Sequence, residues 1–174
     1  IRDSAFCSGL KEIKKCYSIA EDAQIALAMS AQGETIFFLD KDGRPLRNAI
    51  VWMDNRAVRE AEMLEETFGN AKCYQKTGQV SFEACWPASK ILWVREHEPE
   101  VFQNTDKFLL IEDYFIYRLT GKYATEPSLV CSSTYWDIIE GCYWQEMMDF
   151  LGISESQLAP VRESGKIVGK ILPE

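Results

Sequence analysis

Short apolar runs that alternate with amphipathic stretches predict an α/β fold with a mixed sheet and flanking helices. IALAMSA (25–31), TIFFLD (35–40) and KFLLI (107–111) have the length and composition of buried strands. RAVREAEMLEETFG (56–69), ASKILWVREHE (88–98) and YWQEMMDFLG (143–152) carry apolar residues at helical spacing. The chain has 174 residues, 47% of them hydrophobic, which is enough for one sizeable core. No internal repeat or Pro/Gly-rich linker divides it, so residues 1–174 are read as a single domain.

The elements follow in order. Leu10, Ile13, Ile19 and Ala20 sit among Lys and Glu as on an amphipathic helix, and the chain opens at Ile1 as if already inside one. Gln32-Gly33-Glu34 is a tight polar connection between the first two expected strands. Asp42-Gly43 is a turn signal before a third strand ending at Val51-Trp52. The helix over 56–69 stops at Gly69. Lys76-Thr77-Gly78 starts a loop. Pro87 suits a helix first turn, and Pro99 ends that helix and opens a short one. EDYFIYRLTG (112–121) is a helix closing at Gly121. Residues 128–133 are small and polar, and 134–139 more apolar. ISESQLAPV is a helix-and-turn segment, and GKIVGKILP (165–173) has a strand pattern.

The net charge of −8 excludes a polyanion as the main partner, because a phosphate backbone needs clustered Lys and Arg. No apolar run approaches the ~20 residues that span a bilayer, and no signal peptide pattern is read. Neither nucleic acid nor membrane is expected as a partner. Six cysteines at irregular spacing, without a CxxC pair, read as free thiols in a reducing cytoplasm. With His97 as the single histidine, in the charged run REHEPE, no Ser-His-Asp or zinc arrangement is expected. The chain carries neither GxxxxGK[ST] nor GxGxxG. It stops at Leu172-Pro173-Glu174 without a capping signal, and an excised piece of a longer protein is expected.

The informative stretch is AIVWMDNRA (49–57), where a buried strand leaves the core through Trp52, Asp54 and Arg56. Gln32 and Glu34 follow the first expected strand. If the strands are neighbours, these groups converge at one edge. An indole face with a carboxylate and an amide suits a polyhydroxylated ligand, the ring covering C–H bonds and the oxygens bonding hydroxyls. A second reading fits the same residues: Glu34 solvated, Trp52 in the core, and Asp54 capping the helix that starts near Arg56.

The order SAQGET, LDKDGRPLRNAIVWMDNRA, KTG, PASKILWV, LLIEDYFIYRLTGKYATEPS, SSTYWDI and W before LGIS resembles the FGGY family of carbohydrate kinases along essentially the whole chain. The set W-x-D-x-R after D-x-x-G-x-P, with K-x-x-W and D-Y-x-x-x-x-L-T-G, carries the likeness. The resemblance implies a ribonuclease H-like fold of the actin and hexokinase type. It implies transfer of the γ-phosphoryl of Mg-ATP to a hydroxyl of a sugar or polyol. The chain looks like an internal part of the first, sugar-binding domain, without its first hairpin and its C-terminal part. The general base is then expected beyond residue 174, so no catalytic residue or metal ligand is assigned here and the chain alone is expected to be inactive.

The resemblance makes Trp52 the sugar-facing tryptophan and puts Gln32 and Glu34 on the hydroxyl-contacting loop. It places Cys85-Trp86-Pro87 in a pocket-lining segment, so Gln32, Glu34, Trp52, Asp54 and Trp86 are the expected substrate-binding residues. Glycerol kinases read Gln-Arg-Glu-Thr where this chain has Gly33 and Glu34, and xylulokinases read Gln-Met-His-Gly. Around 124–134 the family commonly reads T-D-x-S-x-A-S-x-T, whereas ATEPSLVCSST has Glu126 for the aspartate and Pro127 inserted. No individual sugar is assigned. A homodimer is the oligomer the resemblance allows. A non-catalytic sugar-binding or regulatory module of the same fold is the alternative.

Overall fold

The computed structural model describes residues 2–20 and 22–172. Its centre is the antiparallel pair β1 (Ile36–Leu39) and β2 (Lys107–Leu110), with Ile36 opposite Leu110 and Leu39 opposite Lys107. Both strands are apolar at successive positions because both sheet faces are covered. Ile36, Phe38 and Phe108 face the larger core, and Phe37, Leu39 and Leu109 face a smaller one.

The larger core forms around α4 (Pro87–His97), which is buried on nearly every side. Pro87 begins it without losing a needed N–H, and the chain leaves it at Glu98 for α5 (Pro99–Asn104). Against α4 pack α2 (Val58–Phe68) and α8 (Gln145–Leu151). α3 (Asn70–Thr77) follows α2 after Gly69 alone and occupies part of what reads as loop in the sequence. The smaller core lies under α6 (Ile111–Thr120), where Phe37 stacks on Tyr114 with ring centroids 4.1 Å apart. The short α7 (Pro127–Val130) and a 3-10 turn over Cys131–Ser133 lead to a small antiparallel pair, β3 (Trp136–Asp137) and β4 (Cys142–Tyr143).

Glu126 and Pro127 resolve as a helix start. The Glu126 carboxylate accepts the N–H groups of Ser128 at 2.9 Å and Leu129 at 2.6 Å, and Pro127 takes the first helical position. His97 is exposed and stacks on Trp93 at 4.7 Å, a solvated helix-end residue.

Several expected elements differ. Residues 25–31 form no strand and have no ladder partner among the described residues, and Ile25 is 70% exposed. Residues 165–172 likewise form no strand, with Ile167 exposed. A strand exists only by pairing, and nothing described pairs with either segment. The third expected strand survives as two bridges to β1, Leu39 to Pro45 and Ile36 to Ile50. Three steps along β1 thus match five along the facing segment, so a bulge around Arg47–Ala49 breaks the ladder. Pairing is antiparallel in both sheets and parallel at the bridge from Thr125 to Val161. The opening helix is α1 (Arg2–Tyr17), with Leu10, Ile13 and Tyr17 exposed rather than packed on the core, and Ile19 and Ala20 beyond its end. Ile1 and Pro173, at the outer ends of two expected elements, lie outside the described residues. Among the described residues, no helix is long and apolar enough to cross a membrane.

Two packing details generate predictions. Gly43 closes the 40–44 turn at φ +74°, and a Cβ there would stand 1.9 Å from Tyr117 Oη. Gly43→Ala therefore lowers the urea-unfolding free energy by roughly 2–4 kcal/mol, combining a left-handed penalty with overpacking. Asp113 is buried at the start of α6 and accepts the Leu110 N–H at 3.1 Å. Burial pushes its carboxyl up to about 8, which the nearby Thr125 hydroxyl and the Leu110 N–H oppose only in part. The folded chain holds this proton more tightly than the unfolded chain. The stabilisation is full below the ordinary value of 3.8 and is lost as pH rises toward about 8. Asp113→Asn flattens that decline in unfolding free energy, as equilibrium unfolding at several pH values across the window would read.

Candidate functional site

The site is built where β1 begins and where the segment facing it ends. Thr35, fully buried just before β1, ties the two together. Its Oγ1 accepts the Gln32 side-chain amide at 2.8 Å and the Trp52 backbone N–H at 3.1 Å. A second tie comes from α4 beneath. Lys90 is fully buried, and its Nζ donates to the Glu34 and Val51 carbonyls, each at 2.9 Å. The loop carrying Gln32 and Glu34 and the strand end carrying Trp52 are thus fixed side by side. The two segments therefore lie at one edge, and Trp52 is not in the core.

The side chains differ in what remains free. Glu34 is half-buried, and no described side-chain hydrogen bond engages its carboxylate. Trp52 keeps 46% of its surface exposed, so the strand end presents an indole to solvent instead of burying it. Gln32 spends its amide N–H on Thr35 and keeps its Oε1. Trp86 is half-buried just before α4, its Nε1–H donating to the Ser81 carbonyl at 3.2 Å, which holds the ring against the Ser81 turn.

Asp54 is engaged otherwise. Its two carboxylate oxygens take the Arg56 guanidinium at 2.9 and 2.8 Å, and Oδ1 also accepts the Arg56 N–H. The paired guanidinium holds the Asp54 carboxyl below its ordinary value. Arg56 in turn lies 4.8 Å over the Trp93 ring. The W-x-D-x-R stretch is therefore a corner: Asp54 and Arg56 brace the turn into α2, and Trp52 alone of the three presents a free face.

Electrostatics centre on Lys90. Burial lowers its pKa to about 8, while Cys85, Glu34 and Asp54 favour the charged form and Arg56 opposes it. Burial also pushes the Cys85 thiol up, with Lys90 working against that shift. Beside this cluster opens a cleft of about 440 Å3, lined by Gly33, Glu34, Glu112, Glu126, Ser132 and Arg162 among others. Of the expected site residues Glu34 alone lines this cleft. It stands between the cleft and the Lys90 cluster. Burial, then the Glu126 charge, pushes Glu112 up, so the cleft wall is acidic.

Sequence reasoning missed Lys90 and Thr35 as site builders. A lysine inside SKILWV reads as the solvent stripe of a helix. The available signal was the surrounding run, in which nearly every neighbour is apolar.

Comparison with known proteins identifies the family. The sequence profile of the FGGY family of carbohydrate kinases, N-terminal domain, matches residues 4–174. The chain is 31% identical to the xylulose kinase of Escherichia coli (strain K12), over 95% of this chain and 33% of that protein. It is 34% identical to the glycerol kinase of Thermococcus kodakarensis, over 92% of this chain and 33% of that protein. The crystal structure of gluconate kinase from Lactobacillus acidophilus superposes with a TM-score of 0.84 at 27% identity, covering 92% of this chain and 32% of that one. The chain thus spans about a third of the length of the relatives it matches.

Gly33 packs against the 3-10 turn, where a Cβ would meet Ser132 Oγ at 2.7 Å. That hydroxyl donates to the Leu129 carbonyl at 3.0 Å. Gly33→Ala displaces it and lowers stability by about 1 kcal/mol, the worth of one hydrogen bond. Ser132→Ala removes the same bond, so the double variant is little less stable than either single one, and a double-mutant cycle of urea unfolding measures the coupling.

Proposed function

This chain belongs to the FGGY family of carbohydrate kinases, and from that premise we propose that it is the sugar-binding part of an ATP-dependent sugar or polyol kinase. In the whole protein the reaction is transfer of the γ-phosphoryl to a hydroxyl of the bound sugar. The observation that carries this reading is the Glu34 carboxylate, with no side-chain hydrogen bond among the described residues, lining a cleft on a segment tied beside the one that carries the exposed Trp52. Glu34 accepts sugar hydroxyls, Trp52 covers the C–H face, and Gln32 Oε1 accepts one further hydroxyl. Trp86 closes the side wall. Asp54 acts through the corner it forms with Arg56. The relatives' names span xylulose, glycerol and gluconate kinases, which favours a ligand with several adjacent hydroxyls over any single compound.

These residues contribute by positioning. A hydroxyl held in one orientation reaches the phosphoryl group without the entropy cost of a free encounter. Phosphoryl transfer depends chiefly on such positioning and on charge stabilisation. ATP with Mg2+ supplies the phosphoryl group and its charge neutralisation. Among the described residues no three His, Cys, Asp or Glu side chains gather to hold a cation, so no step is assigned to Mg2+ on this chain. The six free thiols suit a cytoplasmic setting.

The whole protein, screened for ATP turnover against pentuloses, hexuloses, polyols and aldonic acids, turns over with one of these classes. No turnover with any class contradicts the kinase reading and favours a non-catalytic sugar-binding module. With the accepted sugar in hand, Glu34→Ala removes a hydrogen bond to a charged group. That loss of ~1.5–3 kcal/mol raises the sugar KM by roughly 10- to 150-fold. The ATP KM stays near the wild-type value, and an equal rise in both contradicts a sugar-contacting role.

A further inference from the structure

We infer that Lys90 is the positioning residue of this site: its buried ammonium, bonded at once to the Glu34 and Val51 carbonyls, sets the spacing between the Glu34 carboxylate and the Trp52 indole, and through it the affinity for sugar. This rests on the sugar-site reading above.

A lysine in that place has no simple packing rationale. It is fully buried in a helix whose neighbours Ala88, Ile91, Leu92 and Val94 are buried with it. An apolar side chain of similar length would fill the space without the cost of burying a charge. Lys90 has no salt bridge among the described residues, and its two acceptors are main-chain oxygens. Those oxygens belong to the two segments that carry the free ligand-facing groups and are 17 residues apart in the chain. One short ammonium with two acceptors fixes the distance between them more tightly than contact between apolar side chains would.

The charged and titratable groups around the ammonium are Cys85 ahead of α4, Glu34 on the loop, and Asp54 and Arg56 on the corner. The first three hold the charge in place and Arg56 opposes it. Its charge therefore depends on both site segments staying closed over α4. Charged donors make the stronger bonds, so loss of the proton loosens the tie.

The test uses the whole protein with its accepted sugar, with Lys90→Met and Glu34→Ala measured side by side. Lys90→Met raises the sugar KM at least about tenfold and leaves the ATP KM within about twofold. In the wild type the sugar KM climbs as pH passes about 8, while the ATP KM does not follow. That climb is absent in Lys90→Met. If Lys90→Met does not fold, the wild-type profile decides, and a sugar KM level through that range overturns the inference. A sugar KM raised in Glu34→Ala but unchanged in Lys90→Met leaves the sugar site standing and overturns the role of Lys90. Equal rises for sugar and ATP in Lys90→Met also overturn it, since they mark a general loss of structure. Absence of any sugar-dependent turnover in the wild type defeats the site reading and this inference together.

Discussion

An ammonium group removed from water has to be met by oxygen, and in this chain the oxygens come from two separate backbone segments. Lys90 bonds Glu34 O and Val51 O from below, while the Thr35 hydroxyl joins Gln32 and the Trp52 N–H from within the sheet edge. These four bonds hold the loop after 31 and the end of the segment after 44 in one arrangement. Past the bulge around Arg47–Ala49 the ladder facing β1 closes on the Ile36–Ile50 pair, bonded both ways at 3.0 and 3.1 Å, and the ties from Lys90 and Thr35 carry that hold beyond Ile50. Trp52 lies exposed in the turn closed by the Asp54 N–H on the Val51 carbonyl, and the ties from Lys90 and Thr35 stop that turn from becoming a loose loop.

The packing below makes that arrangement rigid. α4 is buried on nearly all sides, so Lys90 cannot move without shifting the larger core. The corner at Asp54 and Arg56 seats its guanidinium on Trp93, one turn after Lys90 on the same helix. The K-x-x-W spacing thus places two anchors on one helix: an ammonium for the carbonyls and an indole for the guanidinium. This motif lies under the segments that carry Glu34 and Trp52.

How much could be read from the sequence depended on how local the cause was. Pro87, Pro99, Gly69 and Gly121 mark helix ends by their own backbone limits, and those ends fall where the residues suggest. The strands at 36–39 and 107–110 are apolar enough to be read unaided. α3 was hidden because only Cys73 and Thr77 of it are buried, too few to make a helical stripe. The segment at 25–31 reads as a strand by composition, but a strand needs a partner elsewhere in the chain, which its own residues cannot reveal. At the candidate site, Trp52 and Glu34 were picked out by residue type and by likeness to the family, and what the structure adds is that their segments lie side by side. The pairing of Asp54 with Arg56 was not legible: the alternative had Asp54 capping the helix, whereas α2 starts from Ala57 without a side-chain cap bond. Nor was Lys90, since burial of a lysine is decided wholly by tertiary contacts.

The most direct test of this account is a crystal structure of the whole protein with its sugar bound. The account predicts sugar hydroxyls within hydrogen-bond distance of the Glu34 carboxylate and the Trp52 indole lying over a C–H face. Lys90 Nζ stays on the same two carbonyls. A sugar bound away from Glu34 and Trp52, or Lys90 turned from the carbonyls toward the ligand, would contradict it.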